Sequence, residues 1–264
     1  MNRIMKLIEK YEFKIFSHIL KKYDVEFYHK DRMGILAKRN FKDNFAYIFS
    51  TKNSCDAVPM MIALDKKIKK SKIGIDIGAN IGITTMWMAR HCEKVYSFEP
   101  DLDNIKRFNE NIEVNNISNV ELVQQAVSNE NGVATFHLFD SYGHHSLDQN
   151  HIAKAKKSVQ VKTITLDQFC EEKGIQEIDV LKIDVEGLEY DVLQGSCKKL
   201  QSNAIKMIIF EHSPILLDKQ GKSKSEVIDY LTKNRYKTYK LDATEVMHDD
   251  INNLGQEDLY AICE

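Results

Sequence analysis

The part of the sequence that most constrains the fold is an apolar run followed at once by a glycine-rich turn. Residues 73–77 read IGIDI, and the turn GANIG at residues 78–82 comes directly after them. A helical pattern begins at about Ile83. A continuous apolar run of this length is typical of a strand buried on both faces. We therefore predict a buried strand, a tight turn and a helix, which is the repeating unit of a parallel α/β sheet.

Strand-like and helix-like segments alternate from residue 72 onward. The predicted strands cover residues 73–77, 94–98, 120–123, 180–183, 207–210 and 236–239. The predicted helices cover residues 83–91, 102–115, 166–173, 189–194 and 225–233. Residues 133–161 break this alternation, and we interpret them as a hairpin-like insertion over the strand ends. The order predicts a mostly parallel sheet with helices on both faces.

Residues 1–70 differ from the rest and are predicted to form an N-terminal cap, which leaves residues 71–264 as the main domain. The cap begins with an amphipathic helix. The segments predicted after it are strand-like pieces at 25–28, 34–37 and 46–49, then a helix near 57–68. Packing of the first helix on this protein or on a sister subunit, as in a homodimer, is favoured. Attachment to a membrane surface is the alternative.

Composition excludes several classes of protein. The chain has 264 residues, with 37 Lys and Arg against 39 Asp and Glu, so we expect neither nucleic acid nor an anionic membrane as an obligate partner. The N-terminal segment has no continuous apolar run, and we expect no signal peptide and no stable membrane insertion. The five cysteines are scattered and never spaced as CxxC, which argues against a disulfide framework or a zinc site and favours the cytoplasm.

The glycine spacing of the turn indicates which ligand it suits. Asp76, Gly78 and Gly82 give Asp-x-Gly-x-x-x-Gly, which is neither the dinucleotide fingerprint nor a phosphate-binding P-loop. Glu99 ends the second predicted strand, where a carboxylate can accept hydrogen bonds from both hydroxyls of an adenosine ribose. The turn and Glu99 together predict a site for a nucleoside without a pyrophosphate.

Three segments carry a resemblance to a known family. They are DIGANIG at residues 76–82, SFEP at 97–100 and KIDVEGLEYDVLQG at 182–195. In wording and spacing they resemble the FkbM family of S-adenosylmethionine-dependent methyltransferases, over about residues 74–211. The resemblance implies the class I fold, which is a Rossmann-like, seven-stranded, mostly parallel sheet flanked by helices. Residues 1–70 fall outside it.

The resemblance also implies residue roles. Asp76, Gly78, Asn80 and Gly82 are expected to line the methionine part of S-adenosylmethionine, Glu99 to bind its ribose, and Gln125 and Ala126 to flank its adenine. The cofactor-binding residues predicted in this way are Asp76, Gly78, Ala79, Asn80, Gly82, Glu99, Pro100, Gln125, Ala126 and Asp184. The product of such a reaction is S-adenosylhomocysteine.

Residues that follow the fourth and fifth predicted strands supply the expected chemistry. A hydroxyl acceptor must be aligned with the methyl group and must lose a proton. Strand alternation predicts that Lys182, Asp184 and Glu186 face one way if the strand extends that far. The predicted catalytic residues are Asp184, Glu211, His212 and, from a loop that could close over the site, His145.

Several alternatives stay open from the sequence. Asp184, Glu211 and His212 could hold a divalent metal ion, which we do not favour, and no metal ligand is assigned. The favoured function is O-methylation of a hydroxyl on a sugar, a glycan or a small natural product. The alternatives are N-methylation of a small molecule and a non-catalytic protein that binds the cofactor.

Overall fold

The structure is a computed structural model, and it describes residues 26–40, 57–68, 70–138, 146–147 and 157–263. Three predictions lie outside the described residues. They are the amphipathic helix at the N-terminus, the strand at 46–49 and the loop residue His145.

Strands and helices alternate over most of the described residues. The strands are β1 (Glu26–Lys30), β2 (Leu36–Asn40), β3 (Ser71–Ile77), β4 (Cys92–Phe98), β5 (Val120–Val123), β6 (Ala126–Val127), β7 (Gly132–Leu138), β8 (Lys157–Ile164), β9 (Ile178–Ile183), β10 (Ile205–His212), β11 (Tyr236–Lys240) and β12 (Glu257–Cys263). The helices are α1 (Ala57–Leu64), α2 (Ile83–Met88), α3 (Leu102–Val114), α4 (Leu166–Lys173), α5 (Glu189–Gln194), α6 (Cys197–Gln201), α7 (Pro214–Lys219) and α8 (Glu226–Lys233). A 3₁₀ helix covers His248–Asn253.

The large sheet has seven strands in the order β11-β12-β10-β9-β3-β4-β5. Neighbouring strands from β10 to β5 in this order are parallel, whereas β12 runs antiparallel to both β10 and β11. The predicted seven-stranded, mostly parallel sheet of a Rossmann-like fold is therefore confirmed. The carboxyl ends of β3, β4, β9 and β10 meet at one edge, which is where open α/β sheets bind ligands.

Helices cover both faces of this sheet and bury its apolar side chains. On one face α1 and α2 pack against β3, β4, β9 and β10 through residues such as Met60, Trp87 and Ile209. On the other face α4, α5, α6 and α8 bury a second core around Phe98, Leu181 and Phe210. Burial on both faces explains why the central strands have near-continuous apolar sequences.

Two of the predicted helices, α3 and α4, begin at residues whose side chains cap the first helical turn. Helix α3 begins after Asp101, whose carboxylate accepts a hydrogen bond of 3.0 Å from the Asn104 backbone N–H. Helix α4 begins after Thr165, whose hydroxyl oxygen accepts a hydrogen bond of 3.1 Å from the Gln168 N–H. Both side chains satisfy backbone donors that the first turn of a helix leaves unpaired.

Some boundaries differ from the prediction. Helix α2 ends at Met88 rather than at residue 91, because the chain must turn there so that Cys92 can begin β4 beside Ser71. The sequence reading also missed β12, α6 and α7. Helices α6 and α7 span only 5 and 6 residues.

The predicted insertion contains a hairpin. Strand β7 pairs antiparallel with β8, from Gly132 opposite Thr163 to Leu138 opposite Lys157. Strand β8 also pairs in parallel with β6, so the three strands form a small second sheet in the order β6-β8-β7. Residues 139–145 and 148–156 of the insertion lie outside the described residues.

The described part of the predicted cap shares its core with the large sheet. Strands β1 and β2 form an antiparallel hairpin. Ile35 and Ala37 of this hairpin are fully buried in the same core as Trp87 and Val95, and so is Met61 of α1.

The last glycine of the sequence KIDVEGLEYDVLQG, Gly195, ends α5 against the backbone that leaves β6. A Cβ atom at Gly195 would lie 2.1 Å from the carbonyl oxygen of Ser128. We expect Gly195→Ala to lower the free energy of unfolding by more than about 2 kcal/mol, because two backbone segments would have to separate. Urea denaturation measures this.

Gly255→Ala is the matched control, because a Cβ atom there would meet nothing within 4 Å. We expect it to change the stability by less than about 0.5 kcal/mol. Equal effects of the two substitutions would contradict the close approach at Gly195.

Candidate active site

The glycine-rich turn sits between the ends of β3, β4 and β9. Gly78 has a φ of 81°, and a Cβ atom on it would lie 1.9 Å from the carbonyl oxygen of Asp184. The N–H groups of Gly78 and Ala79 both donate to the carbonyl oxygen of Phe98, at 3.1 and 2.9 Å. Gly82 has a φ of 88°, and a Cβ there would lie 2.8 Å from the ring of Phe108. Both glycines are therefore required by backbone conformation and by close approach.

Glu99 holds the turn from the end of β4. Its Oε2 accepts a hydrogen bond of 2.8 Å from the N–H of Asn80, which itself has a φ of 51°. Its Oε1 accepts from the N–H of Asp101 at 2.9 Å and from Nδ2 of Asn104 at 3.4 Å. Burial raises the pKa of Glu99 to about 7 although these hydrogen bonds lower it. The structure thus joins the two halves of the predicted nucleoside site, the turn and Glu99.

Asp76 lies beneath the turn and is fully buried. Its Oδ2 accepts a 2.6 Å hydrogen bond from the hydroxyl of Thr85, which is also 2.9 Å from the hydroxyl of Ser97. Its Oδ1 is 4.0 Å from Nζ of Lys182. Burial raises the pKa of Asp76, and the charge of Lys182 opposes that rise. Through Thr85, the Asp76 carboxylate therefore connects β3 to α2.

Lys182 connects Asp76 to Asp184. It is opposite Asp76 in the parallel register of β3 and β9, and its Nζ is 2.7 Å from Oδ2 of Asp184. The Lys182 side chain is 6% exposed, whereas that of Asp184 is 39% exposed. Burial alone would lower the pKa of Lys182, but the carboxylates of Asp184 and Asp76 outweigh it and raise the pKa. The ion pair therefore joins a buried lysine to a carboxylate that is partly exposed.

Glu211 brings a second carboxylate to the same face. Ile209 is paired with Lys182 in the register of β10 and β9, so Glu211 projects to the face that carries Lys182. The Asp184 carboxylate, 2.7 Å from Lys182 Nζ, lies at the same face. Oε2 of Glu211 accepts from the Ser213 hydroxyl at 2.7 Å, and Oε1 accepts from Nε2 of Gln256 at 3.1 Å. Burial, reinforced by the charge of Asp184, raises the pKa of Glu211 to about 7. A carboxylate with such a pKa is suited to accept a proton near neutral pH.

Glu189 is a third acid that the sequence reading did not assign to the site. It is 2% exposed, and its Oε1 accepts from the N–H groups of Val185 and Gly187 at 3.1 and 3.2 Å. These bonds hold a turn in which Glu186 has a φ of 57°. Burial raises the pKa of Glu189 to about 8, and the charges of Asp184 and Glu211 add to the rise. The sequence feature that could have indicated Glu189 is its position as an acid at the start of a helix, directly after a turn that contains Asp184 and Glu186.

Comparison with protein families agrees with this arrangement. The sequence model of the Methyltransferase FkbM domain matches residues 76–239, which is more than half of the chain. The chain belongs to the FkbM methyltransferase family.

Three curated relatives are similar to part of the chain. Methyltransferase 1 of Beauveria bassiana is 33% identical over 141 residues, which cover 46% of this chain and 57% of that protein. The 2-O-methyltransferase NoeI of Sinorhizobium fredii is 28% identical over 148 residues, 50% of this chain and 60% of that one. The hexuronic acid methyltransferase AglP of Haloferax volcanii is 30% identical over 127 residues, 48% of this chain and 51% of that one. The matches thus span a little more than half the length of each relative.

His212 is separated from the acids of this FkbM protein by strand alternation. It follows Glu211 directly in β10, and neighbouring residues of a strand project to opposite faces. It is 2% exposed, and its Nε2 has no hydrogen-bond partner among the described residues. Burial lowers the pKa of His212. The geometry therefore favours Glu211 over His212 as a proton acceptor, while His145 lies outside the described residues.

The predicted adenine-flanking residues lie just after β5. The Gln125 N–H donates to the carbonyl oxygen of Val123 at 2.9 Å, so the chain turns tightly there. Ala126 is buried in a small cluster with Phe136 and Val161, so its methyl group packs inside the second sheet. Their contact with a ligand stays a prediction.

Two kinds of feature are absent from the described residues. No three His, Cys, Asp or Glu side chains in this part of the chain are grouped so that they could hold a metal ion. Within the same ranges, no helix combines the length and the apolar character that crossing a membrane requires.

The buried carboxyl of Glu189 gives stability a pH dependence. Its pKa rises from 4.5 to about 8 on folding, so the folded state holds the proton more tightly than the unfolded state does. Its contribution to stability is complete below about pH 4.5 and is lost as the pH rises through about 8. Glu189→Gln keeps an acceptor for the Val185 and Gly187 N–H groups but cannot ionise.

We therefore expect the stability of the wild-type protein to fall between pH 5 and 8 by up to about 1.4 kcal/mol per pH unit more than that of Glu189→Gln. Urea denaturation across this range measures both slopes. Glu113→Gln, at an exposed position of α3, is the control and should retain the wild-type slope. Identical slopes for Glu189→Gln and the wild type would contradict the assignment.

Proposed function

We propose that this FkbM protein is an S-adenosylmethionine-dependent methyltransferase that methylates a hydroxyl group on a sugar, a glycan or a small natural product. The observation that carries the proposal is one edge of the sheet where a nucleoside-type turn and two carboxylates lie side by side. The turn is held by Glu99, and the carboxylates are Asp184 and Glu211. The carbonyl of Asp184 contacts the turn at Gly78, so the two halves are adjacent.

The residues of the turn fit S-adenosylmethionine. Gly78 and Gly82 leave room where side chains would collide with Asp184 and Phe108, and they expose backbone to a ligand. Glu99 accepts hydrogen bonds from Asn80, Asp101 and Asn104, and a carboxylate offers about four acceptor sites, so Oε2 can also accept a hydrogen bond from a ribose hydroxyl. When bound, this cofactor supplies an electrophilic methyl group on a sulfonium.

The chain itself has to position the acceptor and remove its proton. Glu211, with its pKa raised to about 7, is the proposed proton acceptor, and Asp184 is the proposed residue that binds the acceptor hydroxyl. Ser213 and Gln256 donate to Glu211 and fix its orientation. Lys182 holds the Asp184 carboxylate at 2.7 Å and balances its charge. Pre-oriented groups of this kind lower the entropy lost in reaching the reactive geometry.

The acceptor class is proposed from the relatives. Two of them are a 2-O-methyltransferase and a hexuronic acid methyltransferase. A hydroxyl acceptor on a sugar agrees with the two carboxylates here, since a hydroxyl must lose a proton on methylation, whereas a neutral amine needs a base less.

The first prediction for this function concerns cofactor binding. We expect the wild-type protein to bind S-adenosylhomocysteine, and Glu99→Ala to raise its Kd by about 10- to 100-fold, because a charge-assisted partner of the turn and of the ribose is lost. Isothermal titration calorimetry measures this.

Glu121→Ala is the control. Glu121 belongs to β5, forms surface ion pairs with Lys94 and Lys173, and lies outside the proposed site. It should leave the Kd unchanged. Failure of the wild-type protein to bind S-adenosylhomocysteine, or tighter binding of NAD, would overturn the proposed cofactor.

The second prediction separates binding from turnover. Asp184→Asn and Glu211→Gln keep the size and most hydrogen bonds of these side chains but remove the carboxylates. We expect each to bind S-adenosylhomocysteine like the wild type and to lower kcat at least about 100-fold. Transfer of a labelled methyl group to sugars and to cell extract identifies an acceptor and measures the rate.

The pH dependence of kcat adds a second readout. In the wild type we expect kcat to rise toward a plateau as the pH passes about 7, the pKa of Glu211, because the ionised form accepts the proton. Loss of cofactor binding in Asp184→Asn would show that the assigned roles are wrong. Methylation of amines but not of hydroxyls would show that the protein is an N-methyltransferase and would overturn the proposed O-methylation.

A further inference from the structure

One buried amide links the N-terminal hairpin to the cofactor turn. Asn111 of α3 is 0% exposed. Its Oδ1 accepts a hydrogen bond of 2.6 Å from the backbone N–H of Lys38 in β2, and its Nδ2 donates to the carbonyl oxygen of Ile81 at 2.8 Å. Lys38 belongs to the hairpin, whereas Ile81 lies inside the glycine-rich turn. The same side chain therefore contacts two segments that are far apart in the sequence.

Asn111 completes the support of the turn. Glu99 fixes the N–H of Asn80 from one side, and the ring of Phe108 on α3 fills the space against Gly82. The Ile81 carbonyl between these two contacts is bonded by Asn111, one helical turn after Phe108. Helix α3 thus sets the position of the second half of the turn through one ring and one amide.

The hairpin is firmly docked on the same helix. Asn115, which ends α3, accepts from the N–H of Leu36 at 3.1 Å and donates to the Leu36 carbonyl oxygen at 2.6 Å. Nζ of Lys38 lies 2.7 Å from Oε2 of Glu110. Ile35 and Ala37 are both fully buried. A docked hairpin keeps the Lys38 N–H in front of Asn111, and that bond orients the amide so that its NH₂ group faces Ile81.

We infer that Asn111 is a positioning residue of the cofactor site and that the N-terminal hairpin, which lies outside the matched family domain, is part of that site's support. The inference rests on the proposed function, because it concerns the affinity for S-adenosylmethionine and its product. Coupling between two sites is reciprocal. Docking of the hairpin therefore strengthens cofactor binding, and cofactor binding strengthens docking of the hairpin.

The neighbouring asparagine provides a matched control. Asn115→Ala removes two hydrogen bonds to the hairpin together with those from Asn115 Nδ2 to the Asn111 carbonyl oxygen and to Met86 Sδ, whereas Asn111→Ala removes one to the hairpin and one to the turn. Asn111→Asp keeps an acceptor for the Lys38 N–H but cannot donate to Ile81 when ionised. Urea denaturation of each variant gives its loss of stability, and calorimetry with S-adenosylhomocysteine is carried out where all variants are folded.

We expect Asn111→Ala and Asn111→Asp to raise the Kd for S-adenosylhomocysteine by about tenfold. Asn115→Ala should lose comparable stability but raise the Kd by only about two- to threefold, because it loosens the hairpin yet leaves the Ile81 carbonyl bonded by Asn111. Wild-type affinity in Asn111→Asp, or equal weakening in Asn115→Ala, would overturn the inference. Absence of binding in the wild type would instead overturn the proposed function.

Hydrogen exchange of the wild-type protein tests the same coupling without a substitution. We expect S-adenosylhomocysteine to slow amide exchange in a peptide that covers residues 34–40, although those residues do not border the cofactor turn directly. Slower exchange confined to the turn and to the ends of β4 and β9 would overturn the inference, even if every variant at Asn111 failed to fold.

Discussion

The two halves of the site depend on one buried lysine. Lys182 lies between Asp76, which contacts Thr85 of α2, and Asp184, the residue proposed to bind the acceptor. Asp76 is fully buried, and Lys182 is the nearby positive charge that opposes its desolvation. Removing one partner of a buried ion pair typically costs about 3–5 kcal/mol, because an uncompensated charge remains. The attraction between Asp76 and Lys182 also favours the register of β3 and β9 near their carboxyl ends, where these two residues are opposite each other.

One lysine cannot balance every acid at this edge. Burial raises the pKa values of Glu99, Glu189 and Glu211 to between about 7 and 8, and the charge of Asp184 adds to the rise at Glu189 and Glu211. Carboxyl groups held in this range release and accept protons near neutral pH, which a hydroxyl methyltransferase requires. They also oppose folding as the pH rises, because ionised acids are then crowded together. Stability and proton transfer therefore depend on the same crowding.

The parts of the fold that could be predicted from the sequence are those with a buried apolar period. The prediction placed the parallel strands, the turn and Glu99 correctly, because a strand covered on both faces has to be apolar throughout. It missed β12, which begins with the polar pair Glu257-Asp258 and runs antiparallel at one side of the sheet. Gln256, the donor to Glu211, was missed with it.

Two other differences are local. Alternation predicts that Lys182 and Glu186 face one way only if the strand extends to residue 186, but β9 ends at Ile183 and Glu186 lies in a left-handed turn held by Glu189. In β10 the strand does continue, so alternation places Glu211 and His212 on opposite faces. Contacts such as those of Asn111 could not be predicted, because they join segments that share no periodicity. They exist because a buried carbonyl or N–H must find a partner.

Asp184 shows how one residue serves both halves of the site by separate groups. Its backbone belongs to the cofactor half, since its N–H donates to the Ile77 carbonyl at 3.0 Å and its carbonyl oxygen leaves no room for a side chain at Gly78. Its carboxylate belongs to the acceptor half and is held by Lys182. A change of side chain therefore leaves the turn in place, whereas a change in the backbone path after β9 would disturb both ligands at once. The backbone of Asp184 is therefore the reason why residue 78 has to be glycine, whereas its side chain is the reason why an acid is needed beside Lys182.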